Sequence, residues 1–207
     1  MFIAFEGIDG SGKSTQVKLL AARLRATGRL VHTTAEPTTS PIGLLIRQIF
    51  THHIEADPRT VTALFVADRL DHLLNKNDGI LKKLDEGYTV ITDRYYLSSY
   101  AYQGAHVPLE WVIQANAICA NILRPDIHMV IDISPEISME RIHRDRSTTE
   151  LYETRENLGL VCDKMEEAIR MINQDEHIVR LDGMREIPTV AEAIWEAVAA
   201  ISDDVEG

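Results

Sequence analysis

The sequence predicts an α/β fold: a parallel sheet of about five strands, covered by helices on both faces. Three observations predict it. Short apolar runs alternate along the chain with longer segments of helical periodicity. The first run, Phe2-Ile3-Ala4-Phe5, leads into Gly7-Ile8-Asp9-Gly10-Ser11-Gly12-Lys13-Ser14, which fits G-x-x-x-x-G-K-[ST] at every fixed position. The third run, Tyr88 to Thr92, ends in Asp93 and Arg94, at the strand edge where parallel sheets bind ligands.

Each fixed position in the loop has a chemical reason. Its glycines let the backbone curl until consecutive N–H groups face phosphate oxygens. Lys13 reaches the terminal phosphates, and Ser14 supplies a hydroxyl to Mg2+. Asp93 stands where phosphate-loop enzymes keep a residue that organises that ion, so Ser14 and Asp93 are the candidate metal ligands. A helix opening at Ser14 turns its positive dipole end toward the anion. Val17, Leu20, Ala21 and Leu24 continue that helix, Gly28 caps it, and Leu30 to Thr34 form a second strand. Strand, loop, helix and strand together are the setting of a three-layer P-loop NTPase fold. A glycine-rich turn that binds nothing would not come with that context.

The chain has 207 residues, the size of one large domain. Its 45% hydrophobic and 26% charged residues are ordinary for a globular protein. No apolar run approaches a membrane span, and Met1 leads straight into the first strand with no room for a signal peptide, so a cytoplasmic location is expected. Cys119 and Cys162 fit neither a disulfide framework nor zinc spacing and read as reduced structural thiols. A net charge of −11 argues against a nucleic-acid partner.

Further along, Thr34 to Pro41 is a turn-rich loop at the ligand edge. Ile42 to Thr51 is helical and carries Arg47, read equally as a solvated arginine or as one aimed at an anion. Asp57-Pro58 caps a helix running to about Lys76, with Val61, Leu64, Phe65, Leu70, Leu73 and Leu74 toward its apolar side. Asp68, Arg69 and His72 sit within it, where a plain core helix rarely places charge. Asn75-Lys76-Asn77-Asp78 matches the N-K-x-D through which GTPases read guanine, but it ends a helix instead of following a strand. Ile80 to Glu86 is a short helix. Tyr95 to Gln103 is a loop or helix start bearing Ser98, Ser99, Tyr102 and Gln103. Helices over Leu109–Leu123, Pro135–Arg144, Tyr152–Asn173 and Val190–Ile201 alternate with strands over Ile127–Ile133 and Ile178–Leu181, and the acidic tail from Ser202 should fray. Arg141, His143, Arg144 and Arg146 cluster beside a Ser/Thr loop, as a phosphate clamp or as a solvated helix end favoured by the dipole. The histidines show no metal spacing and read as structural or surface groups.

With these residues in hand, the sequence resembles the thymidylate kinase family across nearly its whole length. Four segments carry the likeness in order: FEGIDGSGKST, AEPTTSPIGLLIR, LFVADRLDHL and DRYYLSSYAYQG. The resemblance implies a single kinase domain over residues 1–207, with a lid at about 141–155, that phosphorylates dTMP to dTDP with ATP and Mg2+. A related P-loop kinase acting on another nucleoside or nucleotide is the alternative, and a GTP-dependent switch is disfavoured by the misplaced N-K-x-D. It implies ATP binding by Gly7, Ile8, Asp9, Gly10, Ser11, Gly12, Lys13, Ser14 and Thr15, with Arg141 over the adenine. Asp9 would contact the sugar 3′-hydroxyl, Arg47 and Arg94 the acceptor phosphate, Phe65 and Arg69 the thymine, and Ser99, Tyr102 and Gln103 the rest of the base and sugar pocket. Glu36 would order that pocket. Some members carry an arginine just after the P-loop acid; here the position is Gly10, which directs attention to Arg144 and Arg146 in the lid. The resemblance also implies a homodimer.

Overall fold

The structure, a computed structural model, describes residues 1–145, 151–172 and 176–206, and the side chains of these except 145 and 202–206. Its sheet has five parallel strands in the order β2-β3-β1-β4-β5: β1 Phe2–Glu6, β2 Val31–Ala35, β3 Thr89–Asp93, β4 Ile127–Asp132 and β5 Ile178–Asp182. Alternation along the central strands divides the core into two layers. Ile3, Phe5, Ile91, Met129 and Ile131 face α1 (Lys13–Ala26) and α9 (Ile187–Glu206). Phe2, Ala4, Val90 and Val130 face the other layer. That layer is built on α3 (Pro58–Leu74), α5 (Tyr96–Tyr102), α6 (Leu109–Ile122) and α8 (Arg155–Ile172).

Local chemistry sets the element ends. Asp57 accepts from the Arg59 N–H at 2.8 Å and Pro58 opens α3, while Ser40 and Pro41 start α2 (Pro41–Phe50) in the same manner. Gly28, at φ 88°, terminates α1. Helix α3 ends at Leu74, two residues before the expected Lys76, and Asn75 to Asp78 follows as its C-terminal turn, where the Asn75 side chain accepts from the Asn77 N–H at 2.9 Å.

Residues 95–103, read as a loop or a helix start, are helical over Tyr96–Tyr102 and buried on all sides. The structure corrects three expectations. Leu74 is exposed, at the last turn of α3. Helix α8 begins at Arg155, because the Tyr152 ring instead stacks on His106 at 4.7 Å. Helix α9 begins at Ile187 and continues through the acidic stretch to Glu206. The remaining elements, α4 (Ile80–Asp85) and α7 (Pro135–Asp145), lie within a residue of expectation.

Register fixes the site. Phe5 and Ala35 both pair with Asp93, so the ends of β1, β2 and β3 meet at one edge. The chain leaves β1 for β2 on one side while β4 lies on the other, the switch point at which open α/β sheets bind ligands.

Candidate active site

At this edge a cavity of about 910 Å³ runs from the P-loop to α3 and α5. Gly7 to Gly12 make the loop. Gly7 has φ 136°, and a Cβ there would lie 2.5 Å from the Ile131 carbonyl oxygen. Gly10 has φ 72°, and its Cβ would lie 2.9 Å from the Ser138 carbonyl oxygen, so the turn under α7 excludes an arginine at this position. Lys13 folds back over the loop, donating to the Ile8 carbonyl at 2.8 Å and to Ser11 Oγ at 3.3 Å. Burial pulls the Lys13 ammonium down to about 8; Arg94 adds to the fall, and Asp93, Asp9 and Glu6 oppose it. Ser14 Oγ donates to Asp93 Oδ2 at 2.5 Å, so the two candidate metal ligands are brought together.

Arg94 occupies the middle of the cavity with φ 77°, a left-handed conformation that holds its side chain over the P-loop. Nη1 donates to the Gly7 carbonyl at 3.1 Å and to Ser98 Oγ at 3.2 Å; Nη2 donates to Asp9 Oδ1 at 2.6 Å. Tyr102 donates to the other Asp9 oxygen at 2.7 Å and accepts from the Asp9 N–H at 2.9 Å. Burial pushes the Asp9 carboxyl up, but the charges of Arg94 and Lys13 and the Tyr102 hydrogen bond outweigh it and hold the group at about 2. Asp9 is therefore the counterion of Arg94 in this state, with both oxygens engaged.

The far end is buried. Arg69 donates from Nε to Glu36 Oε2 at 2.9 Å and from Nη2 to the same oxygen at 2.5 Å; Nη1 donates to Ser99 Oγ at 3.1 Å and to Asn116 Oδ1. His72 Nδ1 donates to Glu36 Oε1 at 3.0 Å. Asp68 accepts from the Thr38 N–H at 2.7 Å and from the Ser40 hydroxyl at 3.1 Å, pinning the loop after β2 onto α3. The three polar residues of this helix thus have one purpose, a rigid wall. Phe65, one turn before Arg69, packs on Phe50 at 5.8 Å and lines the cavity. Gln103 is buried and lines it too, and its Oε1 has no hydrogen-bond partner among the described residues.

The open end is lined by Gly10 to Thr15, Arg141, Arg144, Gly183 and Arg185. Arg141 is occupied with scaffolding: it donates to the Gly10 carbonyl at 3.2 Å and to the Gly183 carbonyl at 3.0 Å, tying the P-loop to the loop after β5. Arg47 is exposed, lines the cavity and donates to the Pro37 carbonyl. The expected site residues thus converge, with two differences. Gly7 and Ile8 lie behind the cavity wall, where their carbonyls hold Arg94 and Lys13. Arg146 lies outside the described residues, as does the stretch 146–150 of the expected lid.

Several residues at or behind the site escaped sequence reasoning: Glu6, Asn116 and Arg185. Glu6 could have been found, as a lone carboxylate closing an apolar strand. Asn116 and Arg185 carry no local signal.

A family model described as "Thymidylate kinase" matches residues 5–194. The chain is 33% identical to "Thymidylate kinase" of Caldicellulosiruptor saccharolyticus over 211 positions, covering 99% of this chain and 96% of that one. It is 41% identical to "Probable thymidylate kinase" of Pyrobaculum calidifontis over 162 positions, 78% of each. With "Probable thymidylate kinase" of Caldivirga maquilingensis it shares 48% identity over 134 positions, 64% of this chain and 62% of the relative. The match thus runs from the end of β1, through the P-loop and both walls of the cavity, into α9. The chain belongs to the thymidylate kinase family.

Proposed function

We propose that the cavity binds dTMP at its buried end and ATP with Mg2+ at its open end, and that the activity of the family, phosphorylation of dTMP, takes place between them. One observation carries the base assignment. Arg69 is a fixed donor lining the buried end of the cavity. Thymine offers it an acceptor at O4, and Gln103, which also lines the cavity and whose buried Oε1 has no partner among the described residues, can meet N3 without choosing the base. Phe65 supplies a face for stacking. Arg94, with Arg47 beyond it, takes the acceptor phosphate, which displaces Asp9 and frees that carboxylate for the sugar 3′-hydroxyl. Tyr102, against Asp9, disfavours a ribose 2′-hydroxyl.

Phosphoryl transfer asks the protein for alignment and charge more than for covalent help. The acceptor phosphate is already ionised, so no general base is required. Lys13 leaves the Ile8 carbonyl for the phosphates of ATP. Arg144, with Arg146, supplies the positive charge that Gly10 cannot. The oxygen pair of Ser14 and Asp93 fits Mg2+. Such an ion would be held largely by phosphates and water, with these two side chains completing its shell. When bound, that ion neutralises the charge spreading over the transferred group.

We also propose a homodimer. Leu74 on α3 and Trp111 and Ile118 on α6 are exposed, and these two helices pack side by side, giving an apolar face on the outside of the site. Sedimentation of the protein and of Ile118→Arg tests this; a monomeric parent rejects it. No helix among the described residues is long and apolar enough to cross a membrane, and a cytoplasmic location is our reading of the two reduced cysteines.

The test of function is ADP release from ATP and Mg2+ across a panel of nucleosides and monophosphates. dTMP should give the highest kcat/KM. A different acceptor preferred over dTMP would replace this reading with that of a related kinase.

A further inference from the structure

Glu6 is fully buried at the end of β1, immediately before the P-loop, and no step of phosphoryl transfer uses it. Its Oε2 accepts from both the Ser98 N–H at 3.0 Å and the Ser98 hydroxyl at 2.5 Å. A serine has one hydroxyl proton, and Glu6 takes it. Ser98 Oγ can then meet Arg94 Nη1 only as an acceptor, at 3.2 Å. The same Nη1 donates to the carbonyl of Gly7, the residue after Glu6. One nitrogen of Arg94 is thus anchored twice to the Glu6 corner, and the other, Nη2, faces the cavity, where it donates to Asp9 at 2.6 Å and to the Tyr102 hydroxyl at 3.3 Å.

Behind Glu6 lies a second buried group. His128 on β4 is fully buried, with Nδ1 3.8 Å from Glu6 Oε1 and Nε2 3.3 Å from Glu176 Oε2 and 3.3 Å from the Tyr96 hydroxyl. Neither Glu6 Oε1 nor His128 Nδ1 has a hydrogen-bond partner among the described residues, so at 3.8 Å they act on each other through charge. Burial alone would lower the His128 pKa, but Glu176 and Glu6 reverse that and raise it, in the direction of an imidazolium between two carboxylates. A buried carboxylate needs such a partner.

We infer that Glu6, backed by His128, is a positioning residue for the acceptor phosphate: through the Ser98 hydroxyl it fixes which nitrogen of Arg94 faces the cavity. This rests on the reading of Arg94 as the phosphate-binding arginine. The expected effect is selective. Loss of the anchor should weaken recognition of the phosphate and leave recognition of the nucleoside alone.

The experiment measures Kd for dTMP and for thymidine by calorimetry in the parent, Arg94→Ala, Ser98→Ala and Glu6→Ala proteins. Arg94→Ala sets the full loss of the dTMP preference. Ser98→Ala and Glu6→Ala should each lower that preference by about tenfold, the worth of a hydrogen bond to a charged group. Thymidine Kd should stay within about twofold, less than one ordinary hydrogen bond is worth. Ser98→Ala removes only a hydroxyl, so it decides the matter if Glu6→Ala does not fold. An unchanged preference in Ser98→Ala overturns the inference, and so does equal weakening of both ligands, which marks a structural role. A parent with no preference for dTMP, or one whose preference survives Arg94→Ala, overturns the reading of Arg94 and the inference with it.

Discussion

Two arginine–carboxylate pairs line the cavity, and they are built differently. Arg69 and Glu36 are each 1% exposed, and both carboxylate oxygens of Glu36 are engaged. Arg94 and Asp9 are 16% and 29% exposed, and they face the cavity. The first pair cannot exchange partners without leaving a buried charge alone. The second can, because an arriving phosphate offers Arg94 more negative charge than Asp9 does. The contrast teaches a division of labour. On the proposed reading a fixed donor reads a base, where geometry must not yield, and an exchangeable ion pair receives a phosphate, where charge matters more than a single geometry.

That division can be broken from either end. The largest effect is expected at the phosphate end. Lys13→Ala should lower turnover by about 10²–10³-fold or more, the worth of a donor aimed at charge developing in the transition state. Its Tm should hardly move, since the burial of the Lys13 ammonium already pulls its pKa down to about 8. A large fall in Tm with turnover preserved would reverse the roles assigned here.

At the base end the same logic predicts lost stability first. Glu36→Ala strips a fully buried arginine of its counterion, a change that costs about 3–5 kcal/mol. In a chain of this size thermal unfolding should show it as a drop in Tm of about 10 °C or more. A Tm within a degree or two of the parent would mean that Arg69 is not held as described.

A pH titration sharpens the phosphate end further, with a smaller effect. The folded pKa of Lys13 is lowered to about 8, so its ammonium is intact below that pH and lost above it. kcat/KM for ATP, which reports the free enzyme, should be level below pH about 8 and fall about tenfold per unit above it. Asp9, held at about 2, contributes no limb near neutrality. A flat profile to pH about 10, the ordinary range of lysine, would separate Lys13 from the ATP step.

How far this was legible in the sequence depended on whether a residue's role is local. The P-loop, the cap at Asp57 and the delivery of Asp93 and Arg94 to the sheet edge follow from short-range rules, and the register bears them out. Asp68, Arg69 and His72 stood out as charges on a core helix, but their partners Glu36, Thr38 and Asn116 are brought to them only by the fold. Helix α5 was left open between loop and helix start because burial on every side erases the helical period. Arg141, placed over the adenine by resemblance, lines the open end of the cavity, and its tie between the P-loop and the Gly183 loop is one that only the fold brings about.

Base selection is where the fixed pair has its most direct consequence. Arg69 has only donors and is locked by Glu36, Ser99 and Asn116, so on the proposed reading it donates to thymine O4 and would meet the cytosine amino group donor to donor. Gln103 can turn its amide to suit either base, and Phe65 stacks on both, so neither selects. The measurement is the ratio of kcat/KM for dTMP over dCMP in the parent and in Arg69→Gln, whose amide can present either face. The ratio is internal to each folded protein, so partial loss of stability divides out. Sites built on such pairing discriminate by about 10⁴-fold, and Arg69→Gln should lower the ratio by on the order of 10²-fold, while Phe65→Ala leaves it nearly unchanged. A ratio that survives Arg69→Gln intact would contradict the assignment of the buried end to the base.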